Sequence, residues 1–587
     1  MTNTSLITLG VLLALAQPVF AKLPNGIASG DTTATSTVLW ARSSLAGNVR
    51  FQVKDAETVV TDQQVVVTQP LIPAKLAVTG LSAGKTYSYT VTDPKGQSLT
   101  GSFKTAPAGG QVGLSFGVSG DWRGELAPYP ALKNAIAKSS DQNLDFFIKL
   151  GDTIYADHES PAVPKGSAET LRQFRLKHNE VYGRHLGRNT FANLQQQVSI
   201  FSTIDDHEVR NDFSGGALAS ACACFPETTG LVNQTKLYQN GLRAFFDYNA
   251  IANTYYPAIG DELTDGRPNL YRVQRYGTTA GVFILDARSF RDDELDGVSD
   301  ISNATQIGTF IANSFDATTE TTRTMLGQRQ LAQLKVDLLH AQADNVVWKF
   351  IAVPEPIQNL GVLAASDRFE GYASERSEIL RFIDENKIKN VVFVSADIHG
   401  TIINDLTYQR REDVLNALAT SGNPLAAPHY QTSAFEITTG SVAYEPAFGD
   451  AVLGLLGQVP NGNVLLAQLF AIVGVSDMAG FNALPMAVKN ETLKSVINLQ
   501  LTNLGYTPIG LQDNPKIDAT FDANANATAA LFSFGWSRFD IDAETQALTI
   551  TTYGIPTYTA EELAANPAEI IKRKPSVLSK FTVHAQL

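Results

Sequence analysis

The chain has 587 residues, 44% hydrophobic and 18% charged, proportions of a folded globular protein that exclude a disordered one. Its length exceeds one small domain and points to two, with room for a large insertion. A net charge of −13 and a pI near 5.2 argue against a nucleic-acid binder, which presents a basic face, but allow an anionic substrate where cations sit in the site.

In chain order, residues 1–21 (MTNTSLITLGVLLALAQPVFA) combine an apolar core around LGVLLALA with the small-residue VFA before Lys22, the pattern of a secretory signal. A buried N-terminal helix is the competing reading. No other stretch offers the roughly 18 unbroken apolar residues of a membrane span. The nearest, VLLAQLFAIVGV at 464–475, is short and contains Gln468. Residues 22–107 read as short strands broken by turns: STVLWARS, NVRFQVKD, QVVVT, AKLAVTGL, KTYSYTVTD and TGSFKTAP. LSAGKTYSYTV resembles a fibronectin type III strand and its loop, so a separate β-sandwich is expected there, ending at the PAGG linker (107–110). Without a histidine cluster, this module is read as positioning rather than catalytic.

From Val112 the texture changes. Apolar, β-branched runs (VGLSFGVSG, DFFIKLG, VSIFSTIDD, AGVFILDA, VVWKFIAVP, NVVFVSAD) alternate with helical patterns such as 326–343 and 374–387, which predicts an α/β domain over 112–587. Residues 410–530 read as an insertion able to cover a site. Cys222 and Cys224, in ACACF, are the two cysteines, and their spacing leaves pairing open because a disulfide over one intervening residue needs a tight turn.

Ligands bind outside the C-terminal ends of strands in such sheets. Those ends carry SGDWRG (Asp121), LGDTIY (Asp152, Tyr155), IDDHEVRND (Asp205, Asp206, His207, Glu208, Asn211) and SADIHG (Asp397, His399). Carboxylate, imidazole and phenolate together suit hard or borderline cations. A carboxylate shared by two cations holds them about 3.5–4 Å apart, and a water in that gap becomes a nucleophile near neutral pH. Asp152 is the expected bridge, and Tyr155 the ligand of one metal, its phenolate favouring a ferric ion. A lone strand-end Asp is more often a turn former or helix cap, and His207 among acids could be a surface charge cluster. Four such ends in one chain shift the balance toward a metal centre. Arg123 and His158 stand beside it and fit a supporting place, whereas His178, His185, His340, His429 and His584 lack acidic context and are read as structural.

The ordered set resembles the PhoD-like alkaline phosphatase family of the metallophosphoesterases, related to the purple acid phosphatases. GIASGDTTATSTVLWAR (26–42), LGDTIYAD, DDHEVRND, ILDARSFRDD (284–293), DRFEGYASER (367–376) and FVSADIHG carry the resemblance, which fades after about residue 400. It implies a four-layer α/β/β/α sandwich behind the small β-domain. It also implies one metal held by Asp121, Asp152, Tyr155 and His399, a second held by Asp152, Asp206 and Asp397, and His207 contacting phosphate and protonating the leaving oxygen. Arg123, His158, Asn211 and Glu355 are candidates for substrate contact or support. The chain departs from the pattern twice: the first motif has no Cys, and VPEP (353–356) offers Glu355 where the purple phosphatases supply a His. Fe3+ with Ca2+ is the pair the resemblance implies, Mn2+ or Zn2+ the alternatives. The expected function is an exported, metal-dependent hydrolase of phosphate monoesters or diesters acting through a metal-bound hydroxide. The rivals are a phospholipase D-like phosphodiesterase on lipid headgroups and a secreted binding module with a structural metal. No nucleic-acid-binding fold or membrane span is expected, and nothing in the sequence indicates an oligomeric state.

Overall fold

The computed structural model describes residues 23–136, 143–317 and 322–587; the expected signal segment, 1–21, lies outside them. The apolar runs form strands and the periodic segments form helices, Gln328–Ala343 and Ala373–Glu385 among them. One sheet has ten strands. At its centre Leu114–Ser119, Phe146–Leu150 and Ser199–Thr203 run parallel. A seven-stranded sheet has Ala280–Ile284, Trp348–Ala352, Val391–Ser395 and Tyr430–Thr438 parallel in that order. Five of these strands are buried along their length, which is why they read as continuous β-branched and aromatic runs rather than alternating ones.

A shared core joins the two sheets, with Phe116, Ile148 and Phe539 of the first against Phe350, Val392 and Ile437 of the second. Phe116 stacks on Phe146 and Phe539 with ring centroids 4.7 Å apart, and meets Phe350 edge-on at 5.0 Å. A further core packs the helices Leu171–Tyr182 and Lys236–Tyr248 with residues of the ten-stranded sheet. Another packs Gln328–Ala343 and Ala373–Glu385 with residues of the seven-stranded sheet. The chain is therefore of the α/β class.

Residues 23–107 pack a four-stranded sheet against the strands Ile27–Gly30, Ser36–Ala41 and Ala74–Thr79 around one core, Val49, Phe51, Tyr87, Tyr89 and Phe103 facing Ile27, Leu39 and Val78. They differ from the expected free-standing module in one respect. The strand Ile27–Gly30 pairs in parallel with Ser199–Thr203, so its sheet continues into the ten-stranded one. Trp40, fully buried, leaves the small core and packs against Tyr182 and Tyr248 at 5.5 and 6.3 Å, its indole N–H donating to the Asp247 carbonyl at 2.9 Å. Trp40→Ala should cost about 3–5 kcal/mol in denaturant unfolding, the usual loss for a buried Trp. A loss below about 1 kcal/mol would show the two parts to be energetically independent.

Residues 410–530 are not one insertion. Tyr430–Thr438 is an interior strand of the seven-stranded sheet, between Val391–Ser395 and Thr401–Tyr408, and Ala519–Asn526 edges the other sheet. The helices between Phe448 and Asn503 form an apolar core around Leu469, Phe481 and Leu493 that also takes in Ile402 and Phe532. Tyr430–Thr438 is hidden in the sequence because YQTSAFEIT is too polar at its start to stand out as a buried run. Cys222 and Cys224 are disulfide-bonded. Among the described residues no helix is long and apolar enough to cross a membrane.

Candidate metal centre

Strands of both sheets end at one place. Leu114–Ser119 leads to Asp121, Phe146–Leu150 to Asp152, Ser199–Thr203 to Asp205–His207, Trp348–Ala352 to Glu355, and Val391–Ser395 to Asp397 and His399. The glycines of the Gly-Asp pairs permit this convergence. A Cβ at Gly120 would lie 2.6 Å from the Ala396 Cβ, and one at Gly151, where φ is +77°, would lie 2.7 Å from the Asp205 Cβ. Asp121, Asp152, Asp397 and His399 all have φ between 47° and 64°. The left-handed region is costly for L-residues, and least so for Asp and Asn. Four such residues in one place point to strain retained for a function.

Among the described residues, five groups of side chains have ligand atoms within 4.8 Å of one another: Asp121, Asp152 and His399; Asp152, Asp206 and His207; Asp205, Glu355 and Asp397; Asp157, His158 and His207; and Asp212, Glu294 and Asp367. Asp152 belongs to two of them. Asp397, expected beside Asp152 and Asp206, groups instead with Asp205 and Glu355. Burial pushes the Asp121, Asp152 and Asp397 carboxyls well above the usual carboxylate range, and repulsion from Asp205 or Asp206 adds to it. Both oxygens of Asp121 and one each of Asp205, Asp206 and Glu355 are buried without a protein hydrogen-bond partner. So many buried, unsatisfied, mutually repelling oxygens are costly to the fold alone, and a cation among them would satisfy them and replace protons. The donor set of carboxylates, one imidazole and one phenol fits hard or borderline metals.

The remaining oxygens are held from outside. Arg288, fully buried, donates through Nε to Asp205 at 2.6 Å, spans both oxygens of Asp367 at 2.6 and 2.8 Å, and pairs with Glu355. Asp205 and Glu355 thus each give one oxygen to the guanidinium and keep the other free. Glu208 accepts from the Thr153 N–H and hydroxyl and, at 2.8 Å, from the Asp205 N–H, which ties two strand ends together.

His207 is set by Asp157, whose Oδ1 lies 2.6 Å from Nδ1, while Nε2 faces Asp206 at 3.8 Å. Burial works against a charged ring here, yet Asp206 and Asp157 outweigh it and raise the imidazole to about 10. His399 is pushed down to about 3 by burial and by His207, and its Nε2 lies 3.1 Å from the Tyr155 hydroxyl. One histidine is thus held protonated and the other neutral, the form that can ligate a metal. Burial, with Asp152 next in weight, pushes the Tyr155 phenol well above its usual range. Tyr444 packs tilted against both partners, its ring centroid 4.3 Å from that of Tyr155 and 3.8 Å from that of His399.

Of the other candidates, His158 faces Tyr155 and His207 at 5.4 Å. Arg123 lies over the Tyr444 ring at 5.7 Å and pairs with Glu125. Asn211 turns away: its side chain donates to Asp212 at 2.6 Å, and only its backbone N–H reaches Asp157, at 2.8 Å. Sequence reasoning assigns no role to Asp157, Arg288, Asp367 or Tyr444. Asp157 lies two residues past Tyr155 in YAD, and Arg288 and Asp367 sit within ILDARSFRDD and DRFEGYASER, so a search of those motifs for paired acids and bases would find them. Tyr444 follows the strand hidden in YQTSAFEIT and has no local signal.

The comparisons define the class as phosphoric ester hydrolases. A model described as the PhoD-like phosphatase matches residues 121–460, more than half of the chain and well past residue 400, and one for that family's N-terminal domain matches 14–107. Alkaline phosphatase D of Bacillus subtilis (strain 168) is 26% identical over 433 residues, 68% of either chain. The solved structure of PhoD aligns with a TM-score of 0.63 and 17% identity, covering 97% of this chain and 93% of that one, a likeness of fold. The chain belongs to the PhoD-like phosphatase family.

Proposed function

We propose that this phosphoric ester hydrolase is exported and metal-dependent, cleaving phosphate monoesters or diesters at the centre around Asp152. The observation that carries the reading is that Asp152 joins the Asp121–His399 group to the Asp206–His207 group. Asp121, Tyr155 and His399 would complete one metal position with Asp152, and Asp206 the other; Asp397 with Asp205 and Glu355 extends the second, where Glu355 takes the place of the absent histidine. Fe3+ and Ca2+ remain the proposed pair, with Mn2+ or Zn2+ as alternatives. Bound cations supply Lewis-acid polarisation of the phosphoryl oxygens and lower the pKa of a coordinated water.

The chain's own groups do the rest. Asp157 fixes the His207 ring by its Nδ1 edge, which leaves the Nε2 proton directed into the site, where it can pass to the leaving oxygen. Arg288 holds Asp205 and Glu355 so that their free oxygens keep one orientation. Tyr444, packed tilted against Tyr155 and His399, holds both rings from that side. The cores on the outer faces of both sheets support the four-layer α/β/β/α arrangement. The four-stranded sheet of residues 47–104 and the strands packed on it support a fibronectin type III-like positioning module with no part in the chemistry. Export is supported by the apolar LGVLLALA segment and by the Cys222–Cys224 disulfide, since disulfides persist in oxidising compartments.

Metal analysis of protein purified without chelator tests the reading, together with turnover of a panel of mono- and diesters before and after chelation. Activity should vanish with the metal and return on adding it back. Undiminished turnover in metal-free protein would reject metal dependence.

A further inference from the structure

Beside the candidate centre lies a cavity of about 980 Å3 whose border includes Asp397 and His399. Asp212, Glu294, Asp367 and Arg368 also border it, and away from these charged groups its walls are largely aliphatic. Ile307 and Val362 line one side, and Leu455, Leu465, Val496 and Ile497 of the helices Phe448–Leu456, Gly462–Ile472 and Met486–Asn503 line the other. Between Asp450 and Asp477 the chain has no ionisable side chain at all. The same helices expose large apolar residues outward: Val464 is 56% exposed, Ile472 63% and Leu499 57%. Binding cavities of this size, apolar with polar groups gathered at one end, orient a ligand by placing its polar part at that end.

We propose that this cavity is a subsite for an aliphatic chain, so that the enzyme's substrates are phosphate esters whose alcohol part carries a long unbranched hydrocarbon. This rests on the phosphoesterase reading and deepens it. With the phosphoryl group at the Asp397–His399 end, the chain runs between the helix Ala304–Ser314 and the three helices opposite, and displaces water from their aliphatic walls. The exposed Val464, Ile472 and Leu499 lie on the outer side of those walls, where a lipid surface presenting such esters would meet them. The chemistry is shared by soluble alkyl phosphates and by phospholipids, and two arms of one experiment separate these sources.

The first arm uses methyl, butyl and octyl 4-nitrophenyl phosphate diesters below their aggregation limits. Burying each methylene is worth about fourfold in affinity, so kcat/KM should climb by about that factor per methylene, through KM rather than kcat, until the cavity is filled. Ala451→Trp, which introduces an indole into the cavity wall, should flatten the series and leave methyl-ester turnover unchanged; Val496→Trp, on another helix, does the same if the first variant fails to fold. Calorimetry with octylphosphonate, which is not hydrolysed, should show tighter binding than methylphosphonate with a negative heat-capacity change, lost in the variants. The second arm presents phosphatidylcholine in vesicles; turnover there identifies the lipid source, and turnover of the soluble octyl ester alone identifies free alkyl esters. A methyl ester cleaved as fast as the octyl ester, or a series unaffected by both variants, overturns the subsite while the phosphoesterase reading stands. No cleavage of any ester by metal-loaded enzyme overturns that reading and the subsite with it.

Discussion

Asp152→Asn is expected to empty the centre of metal and to reduce turnover by on the order of 10³-fold or more, the several kcal/mol that bound cations contribute to such reactions. Asn keeps the side-chain shape and tolerates the φ of 47° at this position, so the change is one of charge. Asp152 alone belongs to both the Asp121–His399 group and the Asp206–His207 group, and its loss weakens two metal positions together. The metal-free variant should be at least as stable as metal-free wild type, because one of several buried carboxylates that repel each other has been neutralised. Elemental analysis and thermal melting check both parts. Full metal content in Asp152→Asn would remove the bridging role.

His207→Ala should fail differently. Asp206 and Asp152 keep their oxygens, so metal content stays near normal, while turnover falls by about 10²–10⁴-fold, the usual worth of a placed proton donor. The loss should be smaller for a nitrophenolate leaving group, which leaves unprotonated, than for an alkyl alcohol. Equal losses for both would remove the acid role, and an empty site would make His207 a ligand. The Asp157 pairing adds a pH signature in metal-free protein. The folded imidazole titrates near 10, above its unfolded value of 6.5, so the stability it contributes is complete below pH 6.5 and is lost as pH rises through 10. Asp157→Asn removes one of the three carboxylates, with Asp206 and Asp205, that raise it and should shrink that pH-dependent contribution, as measured by denaturant unfolding at about pH 6 and about pH 10. An unchanged pH profile in Asp157→Asn would assign the shift to Asp206 and Asp205.

Much of the fold is legible in the sequence. Parallel strands buried along most of their length read as largely apolar runs, and VGLSFGVSG, DFFIKLG, VSIFSTIDD and NVVFVSAD stand out as such. The Gly-Asp pairs at 120–121 and 151–152 mark sharp exits from strands, and Tyr155, His207 and His399 stand at fixed short offsets from acids. These are local signals, carried by side-chain period and covalent spacing. The amphipathic helix Gln328–Ala343 is legible for the same reason.

The grouping of the acids was decided only by the tertiary structure. Asp205 and Asp397 are far apart in sequence, and whether Asp397 meets Asp152 or Glu355 depends on strand order across two sheets and on Cβ approaches of 2.6–2.7 Å that only glycine allows. Arg288 could not be assigned to Asp205, Glu355 and Asp367 from sequence, because a guanidinium finds its carboxylates by burial rather than by spacing. The apolar cavity likewise exists only where helices 448–503 fold back over the strand ends. The sequence by itself determined which residue types stand at the strand ends, since period and turn chemistry act over a few residues. Folding determined which of them share a cation, because strand register and sheet packing act between segments that the chain keeps far apart.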